Sequence, residues 1–596
     1  METLRIGNAG GFWGDDPDAL RRQVEQGQLD YITMDFLAEV TMSIMQKQRS
    51  RDPSLGYAKD FIPMIENVLP TLLRKKTRII TNAGGINPTA CAQAVSDVAK
   101  RLGLTPKIAI VSGDDILTHL PQLQKKGASF TNMETGQELS EVSKPFDAAN
   151  IYFGARSVAE CLTWNPDIVI TGRVTDTGIT LAPMIHHFNW SWTDWNKLAS
   201  GIVAGHILEC GSQSTGGNFT DWEQVESFSD IGFPIAEVSQ DGTFVITKHK
   251  NTGGQVTIDT VREQIVYEMG QPHAYITPDV VVDFSSIRLQ EDGLNRVRVT
   301  SVQGQEPTPF YKVSMAYQDG FKTTGSLAIC GPHARKKADA FAKIFWKKAK
   351  NLGEFQDELT EFYGHNACHR SLGHAKDGEE IILRLSARSP SKEVLHKFGK
   401  LIPSLLLAGP PGVCVLGGVP RPQEVVHYWP ALLPKEWVHP VISLWEHQLE
   451  ETRTITAHSL GHQTPHDKNA QKADKPQKAI HQNGSPLSSI CLARSGDKGD
   501  MANIGVLARS PEAYEYLKKE LTAQKVLDWF QDLCKGSVTR FELDNIDGFN
   551  FLLDSSLGGG GSCSLRVDPQ GKMFAQALLR QHLSIPQEVL DACSKK

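Results

Sequence analysis

Residues Arg78 to Gly103, RIITNAGGINPTACAQAVSDVAKRLG, set the architecture of the first half of the chain. The apolar run Arg78 to Asn82 stops at Ala83-Gly84-Gly85, where a chain must turn. Asn87 then offers an N-cap, Pro88 suits the first helical position and Gly103 can end the helix. Between these signals Cys91, Val95, Val98 and Leu102 fall on one face, so the helix is expected to pack on a sheet. The unit is therefore a strand, a glycine turn and a crossover helix.

The same alternation extends in both directions. Leu4 to Asn8, Tyr31 to Asp35, Ile108 to Ser112 and Ile168 to Thr171 are short apolar runs, with Ile151 to Phe153 a further candidate, and Asp16-Pro17 repeats the helix-start signal before Leu20 and Val24. Continuous rather than alternating apolar runs imply strands covered on both faces, hence a mostly parallel sheet between helices. Past Gly270, Val280 to Phe284, Arg296 to Val302 and Tyr311 to Ala316 read as neighbouring antiparallel strands, followed by a helix from His333 to Lys350.

A chain of 596 residues is too long for one core. The expected division is a large, mostly parallel three-layer α/β domain with an antiparallel subregion over residues 1–450, a polar linker over 451–485, and a small α+β domain of ferredoxin-like type over 486–596. The linker is rich in His, Lys, Gln and Asn and cannot bury enough apolar surface to offset ordering. In the last segment, strands at Ile490 to Ala493 and Asn503 to Leu507 should precede one long helix, Pro511 to Lys535, then strands near Val538 to Leu543 and Ser564 to Val567.

A net charge of −6 gives no basic excess for nucleic acid or an anionic membrane. No apolar run reaches the roughly 18 residues that a membrane span needs, and Met1 to Gly11 lacks the basic start of a signal peptide. Ten scattered cysteines without a Cys-x-x-Cys pair suggest neither disulfides nor a zinc ribbon. A cytoplasmic, soluble protein acting on a small molecule is the expectation, with homo-oligomerisation left open.

In parallel α/β sheets ligands bind beyond the carboxyl ends of strands. Five segments sit there: Gly7 to Gly11, including Asn8 and Gly10; Asp35; Asn82 to Asn87, including Gly84 and Gly85; Ser112 to Asp115; and Thr171 to Asp176. Their glycines allow close backbone approach to a ligand, and their amides could hold an oxyanion; a plain tight turn is the alternative for each. None matches a dinucleotide or P-loop fingerprint, so no cofactor is implied. Arg173 and Asp176 form a guanidinium–carboxylate pair that can fix an anion and move a proton, or merely brace a strand end.

A second concentration is His206 to Asn218. On a helix from Asp194 to Glu209, Leu198, Ile202, His206 and Glu209 or Cys210 share one face, which places acid/base groups at the end of an apolar stripe. Glu209, His206 and Asp176 are the catalytic candidates, and the following Thr215, Gly216, Gly217 and Asn218 could line a substrate. Cys210 offers a thiol nucleophile, with an inert buried thiol as the plainer reading. Lys248, Lys250, Thr252 and Gly253, before a helix through Glu263, would suit a phosphate or carboxylate. His365, Cys368, His369 and His374 are metal-ligand types without a recognised spacing, and no metal is expected. Arg494 to Asp500 and Gly558 to Ser562 place charges among glycines between strands.

Asn8 to Asp15, Asn82 to Pro88, Thr171 to Asp176 and His206 to Asn218, four dispersed motifs in order, resemble the acyclic terpene utilisation protein A family, and Arg494 to Asp500 resembles that family's appended ferredoxin-like domain. The resemblance implies catabolism of branched acyclic terpenoids such as citronellol and geraniol, which proceeds through acyl-CoA thioesters. It transfers no catalytic residues. Three readings follow: an enzyme acting on a branched carboxylic acid or its CoA thioester by acid/base chemistry, of lyase or hydratase type; a non-catalytic ligand-binding or assembly subunit; and a hydrolase using Cys210.

Overall fold

Five strands run parallel at the centre of an eleven-stranded sheet: Thr3–Asn8 (β1), Tyr31–Met34 (β2), Arg78–Thr81 (β3), Ile108–Ser112 (β4) and Ile168–Thr171 (β5), in the spatial order β1-β2-β3-β5-β4. Their side chains are almost all buried, as a sheet covered on both faces requires. These are the five runs read from the sequence; of the further candidate Ile151 to Phe153, Ile151 ends a strand Phe146–Ile151 that pairs outside this sheet, with Phe310–Cys330, and Phe153 makes an isolated bridge to Val174. The computed structural model describes residues 2–373, 378–445, 449–455, 470–477 and 484–594.

Antiparallel strands extend the parallel centre on both sides. Ile235–Ser239 pairs with β1, placing Ala236 opposite Ile6, and Val441–Trp445 pairs with β4, placing Ser443 opposite Ile110. The three strands expected to be neighbours beyond Gly270 instead join three different sheets. Val281–Asp283 lies in a three-stranded sheet, Val297–Thr300 extends the central one, and Phe310–Cys330 belongs to a sheet with Glu380–Ser389. Apolar pattern establishes that a strand exists but not which edge receives it.

Helix α1 (Pro88–Arg101) starts as its sequence dictates: the Asn87 side chain accepts from the Ala90 amide, and Gly103 adopts φ +67° beyond the other end. Cys91, Val95 and Val98 are fully buried, but Leu102 closes the helix at 39% exposure. The helix expected from Asp16-Pro17 begins at Ala19, because Asp16 forms an Asx turn onto the Asp18 amide at 2.9 Å.

Two compact units divide the chain. One comprises Met1–Ala316, Tyr428–Lys468 and Leu543–Gly548; the other comprises Tyr317–His427, Asn469–Glu542 and Phe549–Lys596. In the second, Ala334–Ala349 and Lys392–Ser404 pack Phe341, Phe345 and Phe398 onto the sheet of Glu380–Ser389. A further sheet has the order Gln471–Ala473, Val538–Leu543, Gly548–Leu553, Met501–Ala508, Cys491–Lys498. Much of the expected linker, 456–469 and 478–483, lies outside the described residues, but Gln471–Ala473 pairs with Val538–Arg540.

Three C-terminal expectations are corrected. Pro511–Glu520 and Ala523–Phe530 are separate helices, because Thr522 caps the second through its bond from the Lys525 amide. Residues 564–567 form no strand; Gly548–Leu553 fills that place. Arg494 to Lys498 is strand rather than loop, and only Gly499-Asp500 turns. The two glycine-and-charge motifs meet there: Asp500 Oδ1 accepts from the Gly559 amide at 2.7 Å and the Leu557 amide at 3.2 Å.

Candidate functional site

The carboxyl ends of β2, β3, β4 and β5 converge on a network of buried polar groups in the first unit. Asn82, after β3, accepts from the Phe36 amide at 2.7 Å and donates to Asp35 Oδ1 at 2.5 Å; Asp35 Oδ1 also accepts from the Leu37 amide at 3.0 Å. The Leu37 carbonyl in turn accepts from Arg173 Nη1 at 3.2 Å. Arg173 Nη1 also reaches Asp176 Oδ1 at 2.7 Å, and the guanidinium lies 4.1 Å from the centroid of the Tyr152 ring. Below it, Asp114 Oδ2 accepts from the Arg173 amide at 3.0 Å and from Asn150 Nδ2 at 2.9 Å.

Burial separates the charges in this network. Asp35 is pushed well above the usual carboxylate range by burial and by the Asp176 charge, against the opposing pull of Arg173. Burial raises Asp114 to about 6, although its amide donors oppose the shift. Burial also works against the Arg173 charge, but Asp176, Tyr152 and Asp35 outweigh it and hold the guanidinium charged.

The second half comes from a buried helix. Helix α2 (Gly178–Phe188) follows β5, and helix α3 (Trp195–Leu208) packs back so closely that a Cβ at Gly205 would lie 2.7 Å from Thr177 Cα. At its end, His206 Nδ1 lies 3.2 Å from Glu209 Oε1. His206 Nε2 faces the Gln264 carbonyl at 3.1 Å, from helix α4 (Ile258–Ile265), and Gln264 Nε2 donates to the His206 carbonyl at 3.0 Å. A carbonyl can only accept, so Nε2 carries a hydrogen and Nδ1 is the ring nitrogen that faces Glu209. The edges of Tyr275 and Phe284 enclose the ring.

Glu209 is raised by burial first; His206 opposes that shift, while Asp176 and Glu268 add to it. The carboxyl of Glu209 therefore feels the group that pairs with Arg173, and the strand-end network and the helix end form one electrostatic cluster. Gly11 belongs to the same cluster, since a Cβ there would meet the Glu209 carbonyl at 2.9 Å.

The glycine loops act differently from expectation. The Gly10 amide is taken by Asn8 Oδ1 at 2.9 Å, the Gly11 amide by Asp15 at 2.8 Å and the Gly85 amide by the Asn82 carbonyl at 3.1 Å. Gly84 abuts the end of β5, where a Cβ would stand 2.5 Å from the Thr171 carbonyl. The Gly10, Gly11 and Gly85 amides are therefore used within the fold, and Gly84 lets two backbone segments approach closely.

The two Thr-Gly-Gly segments brace each other. Thr215 Oγ1 donates to the Gly232 carbonyl at 2.6 Å, its own carbonyl accepts from the Gln255 amide at 2.8 Å, and Gly217 N bonds Ser212 O at 2.9 Å. A Cβ at Gly216 would press on Val225, and Asn218 takes φ +56°. Lys248 Nζ is engaged by the Thr252 carbonyl at 2.7 Å, the Gly253 amide bonds Asp230, and Lys250 is exposed. The Gly253 carbonyl accepts in turn from the Gly232 amide at 3.0 Å, so this loop is tied to the segment Ser227 to Gly232.

Tyr275 and Glu268 were not anticipated. Tyr275 is raised far above its usual range by burial and by Glu209, Asp176 and Glu268. Glu268 adopts φ +50°, a backbone state that costs a non-glycine residue on the order of 1 kcal/mol and that sequence does not announce. Cys210 is half-buried next to Glu209. Among the described residues no cluster of three His, Cys, Asp or Glu side chains could hold a metal, and no helix is long and apolar enough to cross a membrane; His374 lies outside the described residues.

No curated protein and no solved structure matches the chain. Two family descriptions do: acyclic terpene utilisation family protein AtuA over residues 4–444, and AtuA ferredoxin-like domain over residues 485–584. The first spans β1 to β5, the Arg173–Asp176 pair and the Glu209–His206 pair, and carries with it a role in acyclic terpene utilisation. By that match, which covers well over half of its length, the chain belongs to the AtuA family.

Proposed function

We propose that the protein is an acid/base enzyme of the acyclic terpene utilisation type, acting on a branched carboxylic acid or its CoA thioester as a lyase or hydratase. The observation that carries this reading is the electrostatic junction of Arg173–Asp176 with Glu209–His206. Two carboxyl groups there reach the surface in part, with side-chain exposures of 30% for Asp176 and 14% for Glu209. One is paired with a guanidinium and the other is raised by burial. Pairs of carboxyls placed in unlike environments divide acid and base roles.

In this mechanism Asp176 removes the proton next to the acyl carbon, and the electron pair expels a β-hydroxyl group. Glu209 protonates that leaving oxygen, so that water departs; hydration runs the same steps backwards. His206, its Nε2 fixed on Gln264, orients the Glu209 carboxyl through Nδ1, and Glu209, which is partly exposed, recovers its proton from solvent as Asp176 returns its own there. Arg173, whose fork is already closed by Asp176 and Leu37, acts through its field on the developing enolate rather than by direct grip. CoA enters only as part of a substrate, and no resident cofactor is invoked.

The test is Glu209→Gln, assayed against branched β-hydroxy and α,β-unsaturated acids and their CoA thioesters. The expected result is an unchanged fold with turnover reduced by about 10² to 10⁴, the range that a positioned acid or base contributes. Full turnover in that variant removes Glu209 from the chemistry. Failure of the wild type on every thioester and acid, with a stable partner copurifying, would favour a binding or assembly subunit.

A further inference from the structure

The second unit holds a separate depression of about 470 Å³, a volume suited to a small molecule. Its lining includes Glu361, Phe362, His365, Asn366, Arg370 and Ser371. At its base Glu361 is almost fully buried on the strand Asp357–Tyr363, directly across from Arg384 on Glu380–Ser389. Its carboxylate is paired with Arg384 Nη1, lies 3.2 Å from Arg370 Nη2, and accepts from the Val567 amide at 3.3 Å. Arg384 Nη1 also donates to the Leu565 carbonyl at 2.6 Å.

Two guanidinium groups thus face one carboxylate, and a third, Arg566, is close enough that Arg370 helps to depress its basicity, behind the larger effect of burial. Arg566 is engaged by the Ser556 and Leu533 carbonyls, whereas Arg370 is 27% exposed and bonds Glu361 through Nη2 alone. Arg370 itself sits at φ +47°, and Asn366, on the same loop, at φ +60°. Left-handed backbone at a bulky residue persists only where surrounding contacts impose it, and such strain gathers at ligand sites. The loop is held by the Arg370 amide on the Asn366 carbonyl at 2.8 Å and by the ion pair with buried Glu361, and Arg370 lines the depression. Asp532 also lines the depression and opposes part of the positive charge.

We infer that this depression is an oxyanion site, in which Arg370 receives a phosphoryl or carboxylate group of a small metabolite, with His365, Asn366 and Ser371 as polar neighbours. The inference does not depend on the chemistry proposed for the first unit. A guanidinium fork pre-set by a buried carboxylate is the arrangement that binds a planar or tetrahedral oxyanion with little ordering cost.

Isothermal titration calorimetry of the full chain at constant ionic strength, with inorganic phosphate and with acetate as probes, tests it. Saturable binding of phosphate alone, acetate alone or both supports the site and identifies its ligand chemistry. Arg370→Lys should weaken binding at least tenfold, because the fork is lost while the charge remains, and Asp532→Asn should strengthen it several-fold. Absence of binding of either ion to the wild type overturns the inference. So does equal affinity in the wild type and Asp532→Asn, a readout that stands even if Arg370→Lys does not fold.

Discussion

Gly205 gives the sharpest test of how helix α3 holds the candidate site. Alanine is the better helix former by about 1 kcal/mol, so in an exposed helix Gly205→Ala would stabilise. Here the added Cβ would lie 2.7 Å from Thr177 Cα and 2.8 Å from the Thr177 carbonyl oxygen. Both atoms are backbone and cannot rotate away, and Thr177 is fully within the packed start of α2. Relief requires α3 to move outward by several tenths of an ångström. Overpacking of this kind costs about 1–3 kcal/mol, and a rigid neighbour places it in the upper part of that range. The net expectation is a loss of about 1–2 kcal/mol, with a second effect on function: the displaced helix carries His206 and Glu209 away from Asp176, which neighbours Thr177 in sequence. Urea unfolding followed by hydrogen exchange on α3 measures the first effect, and turnover measures the second. A variant as stable as the wild type, with α3 amides equally protected, would refute the close packing and the argument for Glu209 placement built on it.

Asp114 sets a pH dependence. Its folded-state value is raised from 3.8 to about 6, so the folded state binds the proton more tightly, and the stability it contributes is full below pH 4 and lost as pH rises through 6. Denaturation midpoints should fall over that window by the equivalent of at most about 3 kcal/mol, and Asp114→Asn should flatten the slope; an unchanged slope would show that the carboxyl is ionised throughout. At the other end of the chain, Thr522→Ala removes the cap on Ala523–Phe530 and should cost about 1 kcal/mol with turnover unaffected. Thermal melts and the activity assay read both parts, and loss of activity at full stability would contradict a purely structural cap.

The central strands were legible because each is a compact apolar run ended by glycine or a polar cluster, and α1 because Asn87, Pro88 and Gly103 punctuate it. His206 and Glu209 were legible as a pair because three residues along a helix place side chains on one face. Pairing across long separations was not. Nothing in VISLW at 441–445 says that its partner is β4, because a strand's own pattern carries no address for its neighbour. The break at Leu521-Thr522 was hidden by the apolar periodicity that Leu517, Val526 and Phe530 maintain on either side of it. The role of the glycine amides is hidden for a different reason. A glycine-rich turn looks the same in sequence whether its amides face a ligand or, as at Gly10, Gly11 and Gly85, an internal acceptor.

The distance in chain between β4 and Val441–Trp445 has a consequence for biogenesis. A nascent chain that has emerged through Thr171 can assemble all five parallel strands, yet the outer rim of β4 must wait for more than 260 further residues before its partner exists. During that interval a row of backbone donors and acceptors stands bare, the kind of surface on which unfinished chains adhere to one another. Truncated forms ending ahead of Val441 carry this hazard permanently, whatever chemistry their remaining residues could support.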